Sequence, residues 1–278
     1  MIQMAKYYCW LDAGHSKATA GKRNTKANPD FFEYEFNNDI AVRLKKRLEA
    51  HGITTYLVNT TPHGNDMPLT NRANKANNKW KELGKPSNAI FVSLHGNAST
   101  GAWAQARGVE VYYAGNASSK SKELALLLTN QIYNDIKKID SGFKNRGRKC
   151  SDFTVIYKAQ MKAVLIEHGF YDNKADLALM QNHRDKFVEA DCKAICAYFG
   201  ITYKAKSSTP IEPTTPNKSF MIKVYNCDTL NARSGPGTNY PVKDTVKAGT
   251  ILTIVGESGN WYKTKSNLWV SKSYCKKI

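Results

Sequence analysis

Residues 89–100, AIFVSLHGNAST, combine a buried strand with a polar end. The first four residues form an apolar, β-favouring run, which is typical of a strand covered on both faces of a sheet. His95, Gly96 and Asn97 then place an imidazole at the carboxyl end of that strand. The histidine is either a satisfied core residue or a ligand, because open α/β folds place their chemistry at this edge of the sheet.

Strand-like and helix-like segments alternate on both sides of this stretch through the first 200 residues. Strands separated by helices predict an α/β fold, with a mostly parallel sheet that is flanked by helices. The predicted strands cover residues 6–14, 53–59, 89–97, 108–115 and 163–170, and the predicted helices cover residues 33–50, 68–83, 119–138 and 184–199.

The composition changes once, in the stretch KAKSSTPIEPTTPNKS at residues 204–219. Prolines among Ser, Thr and Lys, with little apolar mass, are typical of a semi-extended linker. Short strand candidates and Gly-containing turns follow without a helical period, which predicts a small all-β barrel or sandwich. We therefore expect a larger domain at 1–203, a linker at 204–219 and a small domain at 220–278.

The chain is strongly basic, with 41 Lys and Arg against 23 Asp and Glu and a formal net charge of +18. This excess favours an anionic polymer as partner: nucleic acid, a lipid surface or an acidic cell wall. The basic residues are scattered and form no known nucleic-acid module, so we do not expect nucleic acid. No apolar stretch reaches 18 residues, which argues against a membrane span.

The amino-terminal residues lack the apolar core and cleavage site of a secretory signal, so synthesis in a cytosol is expected. In a reducing compartment the six cysteines, which include no C-x-x-C pair, are expected to remain free thiols. Cys192 and Cys196 share one face of a predicted helix, and we interpret them as small buried hydrophobic residues.

Three predicted strands end with a histidine or a carboxylate next to a glycine. The stretch DAGHS carries His15, SLHGN carries His95, and LIEHGF carries Glu167 and His168. Because the carboxyl ends of parallel strands meet at one edge of a sheet, these side chains are expected to lie close together.

A fourth residue, Glu33, joins them through the phase of its helix. On a helical wheel Glu33 lies roughly 20° from both Ile40 and Leu44, so it extends their apolar stripe toward the sheet. Glu35 lies well off that stripe. Glu33 is alternatively an acid favoured by the helix dipole in a first turn, but the two nearby histidines favour a ligand.

Two histidines and one carboxylate with an open fourth position form the ligand set of a catalytic zinc site. His15, Glu33 and His95 supply that set, and a closed structural site would need a fourth protein ligand. Glu167 then remains as a general acid–base group, which takes a proton from water and passes it to a departing amine.

The ordered motifs DAGHS, EYEFNNDIAVRLKKRLEAHG, SLHGNA and AVLIEHGF resemble those of the zinc-dependent N-acetylmuramoyl-L-alanine amidases over residues 5–200. The resemblance implies that His15, Glu33 and His95 bind one zinc ion and that Glu167 is catalytic. It also implies hydrolysis of the amide that joins the lactyl group of muramic acid to L-alanine of the peptidoglycan stem peptide.

Three further residues are candidates for substrate binding. Asn97 and Arg146 lie in segments that match the family, where they either contact substrate or shape loops. His168 stands where relatives often have Thr, and it either donates a proton near the substrate or faces solvent. Of these two alternatives for His168, we favour the solvent-facing position.

The stretch LNARSGPGTNYPVKDTVKAGTILTIVGESGNWYKTKSNLWVSKSYC resembles bacterial SH3-like cell-wall-binding domains. The resemblance implies an SH3-like barrel in which Tyr240, Trp261, Tyr262 and Trp269 form a binding groove. In so small a barrel, Trp261 and Trp269 are also expected to be partly structural. The basic charge of this region suits anionic wall polymers such as teichoic acids.

A wall-degrading enzyme without a secretion signal fits a bacteriophage endolysin, made in the host cytoplasm and acting on a Gram-positive cell wall after release. A bacterial autolysin with the same activity, a zinc peptidase that cuts within the stem peptide and a non-catalytic wall-binding protein are the alternatives. The sequence does not indicate the oligomeric state.

Overall fold

The structure is a computed structural model that describes residues 7–27, 30–59, 64–100, 102–205, 219–225, 227–237, 240–258 and 260–278. The chain divides into two compact units, Met1–Ala205 and Lys206–Ile278, and each is described by itself. Most of the predicted linker, residues 206–218, lies outside the described residues.

The first unit is built on a six-stranded sheet with the strand order β4-β1-β5-β8-β6-β7. Strands β4, β1, β5 and β8 are mutually parallel, whereas β6 runs antiparallel to β8 and β7 runs parallel to β6. The predicted α/β fold with a mostly parallel sheet is confirmed. The strands are β1 (Tyr7–Ala13), β4 (Ile53–Leu57), β5 (Ala89–Asn97), β6 (Val109–Tyr113), β7 (Asn145–Cys150) and β8 (Lys162–Phe170), with a separate small pair β2 (Arg23–Asn24) and β3 (Phe31–Phe32).

Helices cover both faces of this sheet. One apolar cluster joins it to α1, α3, α5 and α6, and a second cluster on the opposite face joins it to α2 and α4. The helices are α1 (Glu33–Glu49), α2 (Leu69–Glu82), α3 (Ser119–Ile136), α4 (Thr154–Tyr157), α5 (Lys174–Asn182) and α6 (Arg184–Phe199). No described helix is both long enough and apolar enough to cross a membrane.

Strand alternation decides which side chains reach the site. In β8, Ile166 packs into the cluster under α1, α3 and α6, whereas Leu165 packs into the cluster on the opposite face. Side chains of a strand alternate between faces. Glu167 therefore shares the face of Leu165, and His168 shares the face of Ile166.

The second unit is a seven-stranded antiparallel sheet with the order β11-β10-β14-β13-β12-β9-β15. Its core holds six aliphatic side chains: Ile222, Val224, Leu230, Ala232, Ile254 and Val270. The all-β prediction for this region is confirmed. The strands are β9 (Phe220–Val224), β10 (Thr229–Arg233), β11 (Val242–Lys247), β12 (Ile251–Ser258), β13 (Trp261–Thr264), β14 (Trp269–Ser271) and β15 (Cys275–Lys277).

Candidate active site

His15 is held in a left-handed backbone conformation, with φ +63°. A histidine with positive φ is uncommon and persists only where the surroundings enforce it. Here Asn59 Nδ2 donates to the carbonyl of His15 (2.9 Å), and Asn37 Nδ2 donates to the carbonyl of Gly14 (3.0 Å). A Cβ atom on Gly14 would lie 2.1 Å from Cε1 of His95, so only glycine allows the two imidazoles to approach.

Glu33 brings both imidazoles to one carboxylate oxygen. Its Oε1 lies 3.3 Å from Nε2 of His15 and 3.1 Å from Nδ1 of His95. As the helical phase predicts, Glu33 is buried whereas Glu35 is exposed. Burial raises the pKa of Glu33, but the adjacent imidazoles of His15 and His95 outweigh it and lower the pKa to about 2.

A polar chain behind His95 determines which ring nitrogen carries the proton. The Ser93 hydroxyl donates to Asp12 Oδ2 (2.8 Å), so its oxygen accepts from Nε2 of His95 (3.2 Å). Burial lowers the pKa of His95, more than the Glu33 carboxylate raises it, which favours the neutral ring. Nδ1 of His95 then presents a lone pair to Glu33 Oε1, and two facing lone pairs repel unless a cation lies between them.

These residues fit a divalent metal ion. The ligand atoms of His15, Glu33 and His95 all lie within 4.8 Å of one another. In a tetrahedral zinc site with bonds of about 2.0–2.1 Å, neighbouring ligand atoms lie roughly 3.3 Å apart. The observed separations of 3.3 and 3.1 Å match that spacing. Oε2 of Glu33 is buried and has no hydrogen-bond partner among the described residues, so the carboxylate has a further lone pair to offer.

A second group of possible ligands, His51, Cys192 and Cys196, does not fit as well. Nδ1 of His51 lies 2.7 Å from the carbonyl oxygen of Arg47, and Nε2 accepts from the backbone N–H of Lys204 (2.9 Å). Both ring nitrogens are therefore engaged, and the two thiols are buried, as expected for small hydrophobic residues. All six cysteines are described, and each is a free thiol.

Glu167 lies beside the metal-ligand group without belonging to it. It pairs with His95 in the register between β8 and β5, on the same face of the sheet. Its Oε2 is buried and makes no hydrogen bond to the part of the chain that the structure describes. Burial, and then the negative charge of Glu33, raises the pKa of Glu167 well above its ordinary value.

His168 does not face solvent, so that expectation is wrong. The side chain is fully buried on the other face of the sheet from Glu167, between the rings of Phe36 and Phe187. Its Nε2 lies 2.9 Å from Asp191 Oδ2, and its Nδ1 lies 3.1 Å from the backbone carbonyl of His95. His168 thus supports the backbone at His95 from behind. Counting residues along β8 from the buried Ile166 already predicts this orientation.

Asn97 and Arg146 both contact Glu110, an acid that was not among the residues predicted to form the site. Glu110 of β6 is buried, and it accepts from Asn97 Nδ2 (2.8 Å) and Arg146 Nε (2.6 Å). Tyr112 and Lys149 donate to the same carboxylate. A charged residue between two valines of a predicted strand was the available signal, because such a residue is rarely buried without partners.

The four aromatic residues predicted to bind the wall differ in exposure. Tyr240 is 41% exposed and its ring packs over Gly235, where a Cβ atom would lie 2.2 Å from the ring. Trp261 and Tyr262 are partly buried, and Lys272 Nζ lies 4.9 Å from the Tyr262 ring centroid. Trp269 is only 7% exposed, so it packs mainly inside the unit.

Comparison with known proteins assigns the chain to a family. Residues 9–197 match the family described as N-acetylmuramoyl-L-alanine amidase, and residues 228–276 match the bacterial SH3 domain. The chain belongs to the N-acetylmuramoyl-L-alanine amidase family. This amidase is an enzyme that hydrolyses peptidoglycan, as the motifs predicted, and it carries a bacterial SH3-like domain after its catalytic domain.

Relatives of the amidase include phage and bacterial proteins. It is 30% identical over 284 residues to the endolysin of Bacillus phage SPP1, with 94% of each chain covered. It is 27% identical over 169 residues to an N-acetylmuramoyl-L-alanine amidase of Bacillus licheniformis, covering 60% of this chain and 58% of that protein. The structure of an N-acetylmuramoyl-L-alanine amidase from Clostridium difficile 630 matches with a TM-score of 0.61 and 26% identity, over 70% of this chain and 98% of that one.

Proposed function

We propose that this amidase cleaves the amide between the lactyl group of N-acetylmuramic acid and L-alanine of the stem peptide, with one zinc ion held by His15, Glu33 and His95. The supporting observation is that two imidazole nitrogens face a single Glu33 oxygen at 3.1 and 3.3 Å. The mixture of imidazole and carboxylate ligands favours zinc among divalent metals. When bound, zinc acts as a Lewis acid that polarises the amide carbonyl and acidifies the attacking water.

Glu167 is the proposed general acid–base group. Its Oε2 is buried without a partner among the described residues and is therefore available to a water molecule and to the amide nitrogen. The carboxylate accepts one proton from water as the oxygen adds to the carbonyl carbon. It then donates that proton to the nitrogen as the C–N bond breaks, which leaves a lactyl carboxylate and the free amine of L-alanine.

Hydrogen bonds behind the proposed metal ligands orient His15 and His95. Asp12 and Ser93 hold His95 in the tautomer that leaves Nδ1 free, and Asn37 and Asn59 hold the backbone that carries His15. Such outer partners fix ligand orientation and raise ligand basicity.

The test of this activity is product analysis on purified Gram-positive walls. An amidase releases stem peptides with a new amine on L-alanine, and both Glu167→Gln and stringent chelation abolish that release. New amines on other residues would favour a zinc peptidase, and undiminished release by the chelated protein would exclude the metal mechanism. Retained wall binding without any release would favour a wall-binding protein.

The SH3-like unit is proposed to bind the cell wall through Tyr240, Trp261 and Tyr262, whose rings are all at least partly exposed. Tethering raises the local concentration of the enzyme on its polymeric substrate. Sedimentation with walls tests this in Glu167→Gln protein, which leaves the walls intact. Tyr240→Ala and Trp261→Ala should lower the bound fraction, whereas retention of full binding by both variants would place the wall-binding surface elsewhere.

The biological role that we infer is that of a phage endolysin, made in the cytoplasm and acting on the wall after release. The similarity to the phage SPP1 endolysin along 94% of both chains supports this role. Cytoplasmic expression in a Gram-positive host should leave the culture intact until the membrane is permeabilised. Spontaneous lysis with the enzyme outside intact membranes would favour an autolysin instead.

A further inference from the structure

Glu110 lies in register with Glu167 and His95 across the sheet, and the proposed mechanism does not use this acid. Glu167 pairs with His95 of β5 on one side and with Glu110 of β6 on the other. Neighbouring strands lie about 4.8 Å apart. Glu110 therefore lies directly beside the proposed acid–base group, on the side away from the metal ligands.

Glu110 binds two cationic side chains, Arg146 and Lys149, at this edge of the site. It is 2% exposed, and its oxygens accept from Asn97, Tyr112, Arg146 and Lys149. Four donors satisfy the carboxylate, so it is not available to substrate. Two cations against one anion leave one excess positive charge beside Glu167.

The guanidinium of Arg146 is fixed in place but open at its outer edge. Its Nε donates to Glu110 Oε2 (2.6 Å), and its carbon lies 4.8 Å from the centroid of the Phe170 ring. The side chain is 34% exposed. Nη1 and Nη2 make no hydrogen bond within the described ranges, and the side chain is partly exposed, so both nitrogens keep N–H donors for a ligand.

We propose that Arg146, held by Glu110 and assisted by Lys149, forms a subsite for a carboxylate of the stem peptide beyond L-alanine. A guanidinium fork with two free donors matches a carboxylate in a bidentate geometry. Two residues of extended peptide span about 7 Å. Strand β7 lies two strand spacings, roughly 10 Å, from β8. The side chain of Arg146 extends from β7 toward β6, where it contacts Glu110. The inference rests on the proposed function, because it assumes that the stem peptide runs from Glu167 toward β7.

The experiment compares two soluble muramoyl dipeptides that differ only at the second stem residue, which presents either a carboxylate or a carboxamide. The wild-type amidase should prefer the carboxylate form in kcat/KM by about tenfold or more, because hydrogen bonds to charged partners are the strong ones. Arg146→Gln should lower kcat/KM on the carboxylate form by about 10- to 100-fold, mainly through KM, and remove the preference. The carboxamide form should be cleaved at a nearly unchanged rate.

The control is Arg148→Gln on the same strand, because Arg148 donates to the backbone carbonyl of Lys122 and not to Glu110. It should leave both rates unchanged. If Arg146→Gln unfolds at a lower temperature, Arg146→Lys keeps the positive charge beside Glu110 and should still lose most of the preference. Equal losses on both substrates, or no preference in the wild type, would overturn the subsite. Failure to cleave either substrate would instead contradict the proposed function.

Discussion

At the residue scale, the site depends on backbone positions that few residues tolerate. His15 adopts a positive φ, and Gly14 before it lies against the His95 ring. The motif DAGHS is therefore required for its shape as well as for its imidazole, since the turn places His15 within 3.3 Å of Glu33.

Gly14→Ala should disable the site without unfolding the protein. The added Cβ would lie 2.1 Å from Cε1 of His95 and must displace that ring from Glu33. Misplacement by about 1 Å costs on the order of 100-fold in rate. Zinc content and rate of stem-peptide release should both fall. Gly115→Ala is the control, because its nearest atom is an Asp152 oxygen at 3.2 Å on a side chain that can move, and both quantities should stay unchanged. Retention of zinc and rate by Gly14→Ala would show that His95 need not occupy its observed position.

His168→Ala should destabilise the first unit. Removing the imidazole leaves the fully buried Asp191 without its hydrogen-bond partner. Leaving a buried hydrogen-bonding group without its partner costs about 1–3 kcal/mol in the free energy of unfolding, which urea denaturation measures. Replacing both residues with Leu should cost less than His168→Ala alone. His183, which is partly exposed, provides the control. If His168→Ala lowers the free energy of unfolding no more than His183→Ala does, the His168–Asp191 pair contributes nothing to stability.

At the element scale, the sequence predicts the strands that carry chemistry better than those that support it. The apolar run at 89–97 matches β5, and the helical period at 184–199 matches α6. By contrast the sequence does not predict β7, because NRGRKC is a polar edge strand with no apolar face to signal it. The four proposed chemical residues were identifiable as polar residues at the ends of apolar elements. Their supports Asn37 and Asn59 could not be identified, because they act through tertiary contacts between segments distant in sequence. Glu110 differs, because its place between two valines of a predicted strand is a signal in the sequence itself.

The hydrogen bonds that Glu110 accepts between β6 and β7 predict that the stability of the protein depends on pH. Burial raises the pKa of Glu110, but hydrogen bonds from Lys149, Arg146 and Tyr112 outweigh it and lower the pKa below the ordinary 4.5. A carboxyl with a lowered folded-state pKa contributes stability above its ordinary pKa, and this contribution is lost as pH falls through the folded value. Glu110→Gln should lower the melting temperature at pH 7 and reduce its decline below pH 4.5. Glu35→Gln, at an exposed position, should keep the wild-type pH profile. An unchanged profile in Glu110→Gln would remove Glu110 as the cause.

At the scale of the whole molecule, the net charge of +18 suits a polyanionic wall. Attraction between exposed charges is screened by salt, with a Debye length of about 8 Å at physiological ionic strength and about 3 Å at 1 M. Binding of Glu167→Gln protein to walls that carry anionic polymers should therefore weaken as sodium chloride rises. Walls stripped of those polymers should show a smaller salt effect. Sedimentation assays that give the same salt dependence for both walls would assign the attraction to peptidoglycan itself.

The proposed metal site is tested most directly by the amount of zinc retained per chain after equilibrium dialysis, compared between Glu167→Gln and His95→Ala. Glu167→Gln should retain about one ion per chain, since Glu167 lies outside the ligand group, and should lose hydrolysis. His95→Ala should lose the zinc. Loss of zinc from Glu167→Gln, or full retention by His95→Ala, would show that these residues do not have the proposed roles.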